Sequence, residues 1–418
     1  RAWKWGSHSS RNICKREILK GFGCDEMKVT DVSAMILRYQ YDNAIADAQN
    51  YFYTRSAVIV KVKTDEGIEG IGESACFGGP AETTKYVIEH ELADLVRGED
   101  PTNIERIWRK VNDRPRQHGR GGIITAALSG IDVALWDILG KKAGLPVYKL
   151  LGGYSDRLLP YASSGFYSVG KDAQKLAAEA EGYFRQGFRY AKIKIGRNPD
   201  VFMSPMENML SPEKCIYTLE EELERVRACC EAAKKYGARI MVDVNNVWNT
   251  YTAIRMGKKF QEMGVFWMEE PLSLDNVDGS AELARALDMP VAGYESEVGL
   301  FRFKQFMDKR AIDIVQPDVI WSGGFTECRR IAHYAQANSL PCMPHVFSSA
   351  VSLAANAHFL ASLSNRGILE MDRNPYPLRD ELLTEPIEMA ADGYVYLPQK
   401  PGLGIELRED TIEKYRVD

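Results

Sequence analysis

Three carboxylates recur at equal spacing in the middle of the chain. Asp243, Glu269 and Glu295 each follow a short apolar run, and each lies 26 residues from the next. That interval fits one strand, one helix and two loops, so a parallel barrel would gather the three side chains at its C-terminal rim. Converging carboxylates repel one another unless a cation lies between them, and oxygen ligands favour a hard ion such as Mg²⁺. The alternative is that three separate strand-end acids cap helices or face water.

Two lysines follow the same pattern one strand earlier. Lys192 and Lys194 lie two residues apart in an apolar run, so their side chains share one face of the predicted strand. Each positive charge disfavours protonation of the other, which predicts a lowered pKa for one lysine and a base near neutral pH. The alternative, an exposed pair on an edge strand, fits poorly because a closed barrel has no edge.

Further polar residues end the last predicted strands. Asp318 and His345 end neighbouring strands, so Asp318 could accept a hydrogen bond from His345 and hold its tautomer. His345 is therefore a candidate acid or base, and Glu370 is a candidate contact for a substrate oxygen. The alternatives are an ordinary interior histidine and a capping or salt-bridge acid. With Lys194 on the opposite wall, this set could remove the α-proton of a carboxylic acid and give an enediolate that Mg²⁺ stabilises.

The first part of the chain has mixed β and α patterns. Strand-like alternation covers residues 29–39, 56–63 and 68–72, and the polar and aromatic residues 41–55 are predicted to form a loop. Helical patterns follow at residues 82–96, 103–111 and 123–143. The last of these is apolar nearly all round, which predicts a buried helix that is also compatible with self-association.

From residue 158 short strands alternate with helices, as in a parallel α/β barrel. The eight strand candidates are residues 159–163, 191–195, 240–244, 266–269, 291–294, 312–316, 342–345 and 368–371. Eight strands close a TIM-type barrel. The long interval 196–218 is interpreted as a lid over the rim, with an oligomer contact or a surface loop as alternatives.

These patterns predict four regions. Residues 27–155 form an α+β domain, residues 156–380 form the barrel, and residues 381–418 return to the first domain. Residues 1–26 are basic and poor in acids, and we interpret them as an extension outside the fold, with a transit peptide as the alternative.

Composition narrows the class of protein. A net charge of −5 argues against nucleic acid or an anionic membrane as the main partner. The unbroken apolar runs are too short to span a bilayer. None of the eight cysteines forms a CxxC pair, which predicts reduced thiols and a cytoplasmic location.

The ordered set of polar residues resembles the enolase superfamily and, within it, the mandelate racemase group. The residues that carry the resemblance are Lys192-Ile-Lys194, Asp243-Val-Asn245, Glu269-Glu270-Pro271, Glu295, Asp318, His345 and Glu370. The resemblance implies a modified (β/α)7β barrel with an α+β capping domain. It implies Mg²⁺ on the three carboxylates, Lys194 as base on one face and the His345–Asp318 pair on the other. It also implies that Lys192 and Glu370 contact the substrate carboxylate and that Asn245 contacts the α-hydroxyl.

Dehydration of a sugar acid, a small-molecule substrate, to a 2-keto-3-deoxy acid is the predicted reaction. The polar side chains within residues 41–55, which include Asp42, Asp47, Gln49, Asn50 and Arg55, could bind a polyol. If His345 instead returns a proton to the α-carbon, the protein is a racemase or epimerase. A binding or structural homologue without turnover is the remaining alternative. Such barrels commonly self-associate, so a homo-oligomer is expected.

Overall fold

The computed structural model describes residues 27–114, 117–198 and 215–418. The predicted extension, residues 1–26, and most of the predicted lid, residues 199–214, lie outside the described residues. The described chain forms an antiparallel sheet covered by helices, followed by a parallel barrel. The mixed α/β fold class, with a capping domain at the N-terminus, is confirmed.

A three-stranded antiparallel sheet opens the capping domain. It runs in the order β1 (Val29–Ala46), β2 (Tyr51–Thr64) and β3 (Glu69–Ser74). The prediction that residues 41–55 form a loop is wrong, because both strands continue through this stretch and leave only residues 47–50 as a hairpin tip. Its many aromatic residues favour strands, and the strand pairing resumes at Ile45 after an irregularity that follows Gln40.

Helices cover one face of this sheet. They are α1 (Ala81–Tyr86), a π-helical turn (Val87–Leu92), α2 (Ala93–Val96), α3 (Ile104–Asp113) and α4 (Ile123–Ala143). The predicted helix at residues 123–143 agrees with α4 at both ends. Helix α4 packs against β3 so closely that a Cβ atom on Gly72 would lie 2.0 Å from the carbonyl oxygen of Gly130. Only glycine permits this approach of helix and strand.

Helix α4 corrects one expectation. By length and apolar composition it could cross a membrane, although the sequence predicts no segment that is long enough. In the fold it is a core helix, since 89% of its most apolar window is buried inside the protein. It therefore offers little surface for self-association, and a homo-oligomer remains a prediction.

Seven parallel strands form the barrel wall. They are β5 (Pro160–Ser163), β6 (Tyr190–Lys194), β7 (Arg239–Asp243), β8 (Met268–Glu269), β9 (Val291–Gly293), β10 (Ile314–Val315) and β11 (Leu369–Asp372). Their order around the wall is β10-β9-β8-β7-β6-β5-β11. The strand predicted at residues 342–345 is reduced to one position, Cys342, which bridges Val315 of β10 and Arg366 in the segment that leads into β11. Pro341 and Pro344 flank this position and have no N–H to extend the pairing.

Helices surround the barrel. They are α5 (Val147–Leu150), α6 (Ala173–Arg185), α7 (Leu219–Lys234), α8 (Thr250–Met263), α9 (Val277–Ala286), α10 (Gly299–Asp308), α11 (Gly324–Ala337), α12 (Ala350–Ser362) and α13 (Pro377–Asp380). Side-chain caps begin several of them: Thr218, for example, forms a capping box with Glu221 at the start of α7.

The C-terminal segment contacts both domains. Strand β12 (Val395–Tyr396) pairs with β4 (Arg157–Leu158) beside the barrel. Helix α14 (Glu409–Tyr415) leads back to β1, where the Val417 N–H donates to the Ile36 carbonyl at 3.1 Å. The tail thus adds contacts to the capping domain and holds it on the barrel.

Candidate active site

The three spaced carboxylates meet at the C-terminal rim. Asp243 ends β7 and pairs in register with Glu269 at the end of β8, while Glu295 lies just beyond β9. One carboxylate oxygen from each residue lies within 4.8 Å of the other two, an arrangement that could hold a metal ion. The barrel brings together residues that lie 26 positions apart.

Hydrogen bonding and burial both fit a cation at this cluster. The Glu295 Oε2 atom is buried and has no hydrogen-bond partner among the described residues. Burial, together with the neighbouring acids, raises the pKa of Glu269 to about 8. A ligand oxygen without a partner, beside Glu269 whose ionisation is disfavoured, fits a hard divalent cation such as Mg²⁺.

Both lysines of β6 are buried against these acids. Lys194 Nζ contacts Asp243, and Lys192 Nζ contacts Glu269 and lies 2.7 Å from Glu370 Oε1. Burial lowers the pKa of each lysine, but the carboxylates outweigh it and raise both values above normal. The expectation of a lowered lysine pKa is therefore wrong for this arrangement. A cation held by Asp243 would compete for its charge and lower the pKa of Lys194.

His345 and Asp318 form the predicted pair on the other wall. His345 Nδ1 lies 2.9 Å from Asp318 Oδ2, and His345 Nε2 lies 3.3 Å from Glu295 Oε1. Burial lowers the pKa of His345, but Glu295 and Asp318 outweigh burial and raise it to about 10. The other oxygen of Asp318 accepts a hydrogen bond from Asn356 Nδ2 at 2.9 Å, which orients the carboxylate.

Three further predicted residues lie close to the cluster. Asn245 Nδ2 is 3.3 Å from Asp243 Oδ2, and the buried Asn245 Oδ1 has no partner among the described residues. Glu370 Oε2 accepts the Val346 N–H at 2.9 Å. Burial would raise the pKa of Glu370, but Lys192 and His345 lower it to about 2. Glu370 and Lys192 thus neutralise each other beneath the cavity, whereas Asn245 lines it.

A cavity of about 450 Å³ opens above these residues. Its polar lining comprises Asp47, Gln49, Asn50, Lys194, Asn245, Asn246, Glu270, Glu295, Ser296 and His345. Its aromatic lining comprises Tyr51, Phe52, Phe77, Phe166, Trp321 and Phe347. The polar residues of the hairpin tip therefore enter the cavity as expected. Tyr51, Phe52 and Phe77 lie in segments that are expected over the metal, whereas Phe166, Trp321 and Phe347 are not predicted from the sequence.

Two other polar residues of the capping hairpin lie elsewhere. Asp42 is exposed on β1. Arg55 is buried and pairs with Asp372 at the end of β11, with 2.6 Å between Nη1 and Oδ2. Its guanidinium stacks between the rings of Phe347 and Tyr376. Arg55 thus connects the capping domain to the barrel behind the cavity wall.

Glu270 lines the cavity, and its sequence motif, Glu269-Glu270-Pro271, predicts no separate role for it. It is fully buried, accepts a hydrogen bond from Asn246 Nδ2 at 2.7 Å and has a φ of 41°. Asn245 and Asn246 also have positive φ. Such conformations are sparsely populated for residues with side chains and cluster at functional sites. The sequence feature that could have identified Glu270 is its position directly after Glu269, at the end of β8.

Family comparisons agree with this geometry. Residues 38–152 match the family "Mandelate racemase / muconate lactonizing enzyme, N-terminal domain". Residues 175–411, more than half of the chain, match the family "Enolase C-terminal domain-like".

The chain belongs to the enolase superfamily, in the mandelate racemase group. This confirms the resemblance stated from the ordered polar residues. An arabinonate dehydratase from Saccharolobus solfataricus is 37% identical over 86% of this chain and 90% of its own length. A D-galactarolactone cycloisomerase from Agrobacterium fabrum is 33% identical over 94% of this chain and 99% of its own.

A solved superfamily structure bears on the metal. A racemase from Streptomyces coelicolor with bound magnesium superposes with a TM-score of 0.81 and 27% identity over 93% of this chain and 100% of its own. That bound ion and the acidic cluster of this chain confirm the predicted cofactor, Mg²⁺. The superfamily relatives nevertheless include a dehydratase, a cycloisomerase and a racemase. Membership therefore establishes an enzyme of this superfamily and leaves the second chemical step open.

Proposed function

We propose that this protein dehydrates a sugar acid to a 2-keto-3-deoxy acid. One observation carries the proposal: Lys194 and His345 line a single cavity, together with Glu295 of the acidic cluster. A base and an acid that share a cavity can act on two bonds of one substrate. The similarity to an arabinonate dehydratase, at 37% identity, supports the choice of reaction.

Each residue has a proposed role. Asp243, Glu269 and Glu295 hold Mg²⁺, which when bound supplies positive charge that offsets the negative charge developing on the substrate carboxylate. Lys192 and Glu370, already in contact, position that carboxylate. Asn245 contacts the α-hydroxyl through its buried amide, whose Oδ1 has no partner among the described residues.

Two bonds break in the proposed reaction. The Lys194 amine removes the proton from the α-carbon, and the electron pair of that C–H bond forms the enediolate. His345 then donates its proton to the departing 3-hydroxyl, so the C–O bond breaks and water leaves. The resulting enol tautomerises to the 2-keto-3-deoxy acid. Asp318 accepts the Nδ1–H of His345 and stabilises the imidazolium form, whose Nε2 proton is the one donated.

The reaction can be tested with a panel of aldonic acids, aldaric acids and sugar-acid lactones. Each compound is incubated with enzyme and Mg²⁺, and 2-keto products are measured with semicarbazide. Parallel samples in D₂O are examined by NMR for exchange of the α-proton. Samples with EDTA provide the control, since dehydration should stop when the cation is removed.

The results separate the candidate reactions. Semicarbazide signal with loss of water supports dehydration. Exchange with inversion at the α-carbon and without keto product would overturn it in favour of racemisation or epimerisation. Isomerisation of a lactone without loss of water would favour a cycloisomerase, a reaction named for the 33% identical relative. Absence of all three with every acid would overturn an enolase-type reaction on sugar acids.

A further inference from the structure

The described lining of the cavity has more acidic than basic side chains. Asp47, Glu270 and Glu295 contribute three carboxylates to the lining. Lys194 and His345 are the cationic or protonatable groups that face them, and no arginine or other lysine of the described chain lines this cavity. Both basic groups already contact acids of the metal cluster, so neither is available to a second anionic group of a substrate.

Asp47 reaches the cavity from the hairpin tip of the capping domain. The tip is held over the ends of β6 and β7, because Gln49 Nε2 donates to the Asn245 carbonyl and Arg197 Nη1 donates to the Asp47 carbonyl at 2.8 Å. The tip is therefore fixed on the barrel by hydrogen bonds from both sides. A substrate chain that extends from the acidic cluster towards the capping domain meets Asp47.

One oxygen of Asp47 retains capacity to accept a hydrogen bond. Asp47 Oδ1 accepts the N–H groups of Gln49 at 2.7 Å and Asn50 at 2.6 Å, which forms the turn at the tip. Oδ2 has a single described contact, the Asn50 side-chain amide at 3.4 Å. A carboxylate oxygen accepts more than one hydrogen bond, so Oδ2 can accept from a hydroxyl.

The nearest arginines do not compensate this charge inside the cavity. Arg197 is fully buried, stacks on the ring of Tyr51 and donates to backbone behind the tip. Arg55 is paired with Asp372. Among the described residues, a second carboxylate in the cavity would thus be desolvated beside Asp47 without a cationic partner, which is unfavourable.

We propose that Asp47 makes this site selective for sugar acids with a single carboxylate, so that aldonates are accepted and aldarates are rejected. This inference rests on the proposed function. Asp47 Oδ2 accepts a hydrogen bond from a substrate hydroxyl, and the same charge repels a carboxylate that replaces the terminal hydroxymethyl group. Selectivity of this kind arises from a repulsive element as well as an attractive one.

Matched pairs of substrates test the inference. For each configuration that is turned over, kcat/KM is measured with Mg²⁺ for the aldonate and for the aldarate of the same stereochemistry. We expect the aldonate to be favoured by about tenfold or more, the effect of one uncompensated charge pair at an intermediate dielectric constant. The measurements are repeated with Asp47→Asn, which keeps an oxygen to accept the two N–H groups of the turn.

In the Asp47→Asn variant, the ratio of kcat/KM for the aldonate to kcat/KM for the aldarate should fall by about tenfold, mainly because KM for the aldarate is lower. Asp42→Asn is the matched control, because Asp42 is an exposed acid of the same hairpin and should leave the ratio unchanged. An aldarate that the wild type turns over as well as its aldonate would overturn the inference while dehydration stands. An unchanged ratio in Asp47→Asn would overturn the role of Asp47.

Failure of the proposed function is distinguishable from failure of the inference. If no acid gives a 2-keto product but α-proton exchange occurs, dehydration is excluded, and exchange rates for the same pairs decide selectivity. Faster exchange with aldonates would support the inference. Equal exchange with both classes would overturn it.

Discussion

His345 Nδ1 lies 2.9 Å from Asp318 Oδ2, and the opposite ring nitrogen faces Glu295 at the edge of the acidic cluster. The pair spans two adjacent positions of the barrel wall, one of which is the single bridge at Cys342. Asn356 and the Ile320 N–H both donate to the other oxygen of Asp318. The imidazole is therefore held by one carboxylate that is itself held from two directions.

Replacing the two members of this pair should have separable effects. His345→Asn should abolish dehydration while exchange of the α-proton in D₂O continues, because Lys194 still removes that proton. Asp318→Asn should lower kcat by about a thousandfold or more, because a neutral amide does not stabilise the imidazolium form of His345 as the carboxylate does. Both rates are measured by NMR. Full dehydration in His345→Asn would contradict the assignment of His345 as the acid.

Lys194→Ala should lose both dehydration and exchange. The variant removes the only proposed base on that wall, although the three carboxylates that are proposed to hold Mg²⁺ remain. Mg²⁺ binding measured by calorimetry should survive. Exchange at the wild-type rate in this variant would show that another group removes the α-proton.

Glu295→Gln should weaken Mg²⁺ binding by about tenfold or more, because a neutral amide replaces one of three ligand carboxylates. Calorimetric titration of EDTA-treated protein measures the affinity. A second measurement follows the thermal midpoint against Mg²⁺ concentration, since a bound ion stabilises the folded state. Asp275→Asn is the control, because its carboxylate is 96% exposed and should leave affinity unchanged.

Glu73→Gln should destabilise the contact between the domains. The carboxylate is fully buried in β3 and accepts hydrogen bonds from Ser349 Oγ at 2.5 Å and Ser352 N at 2.9 Å, at the start of α12. Burial raises its pKa, yet the helix N-terminus provides donors that favour the ion. We expect the free energy of unfolding in urea to fall by about 2 kcal/mol. Glu69→Gln on the same strand is half-exposed and should change it little.

Protonation of His358 should destabilise the fold at low pH. His358 Nδ1 accepts the Tyr148 N–H at 3.1 Å, and Nε2 donates to the Leu403 carbonyl at 3.0 Å, so the neutral ring satisfies both partners. Burial lowers its pKa to about 4. The group is neutral in both folded and unfolded protein above about pH 6.5, so its full contribution is present there and is lost as pH falls towards 4.

Between about pH 6.5 and 4, we expect the contribution of His358 to the free energy of unfolding to fall by about 3 kcal/mol. It is measured as the difference in urea unfolding free energy between wild type and His358→Gln at pH 7, 5.5 and 4.5. The advantage of the wild type should shrink as pH falls, because glutamine does not titrate. A difference that stays constant with pH would contradict the lowered pKa. Because wild type and variant share all other acids that titrate in this range, the contributions of those acids cancel in the difference.

Some features of the site follow from sequence because they depend on local periodicity. Strand-end residues such as Asp243 and Glu269 converge wherever strands and helices alternate in a parallel barrel, so their spacing is enough to predict that they meet. The helix Ile123–Ala143 was predicted to both ends because its apolar pattern is continuous. The predicted strand at residues 342–345 is too long. Its position in the alternation of strands and helices predicts a strand there, but Pro341 and Pro344 have no N–H and interrupt the hydrogen bonds.

Other features depend on contacts between distant residues, which a linear pattern does not contain. The lysine pair alone predicted a lowered pKa, but carboxylates from β7, β8 and β11 outnumber the lysines and reverse the direction. The polar stretch 41–55 forms two strands with a four-residue tip, and only the fold decides that Asp47 enters the cavity while Asp42 faces solvent. The sequence by itself thus determined the superfamily and the chemical groups of the rim. Tertiary structure decided their charge balance and which side chains face the substrate, because electrostatics and burial depend on distance in space.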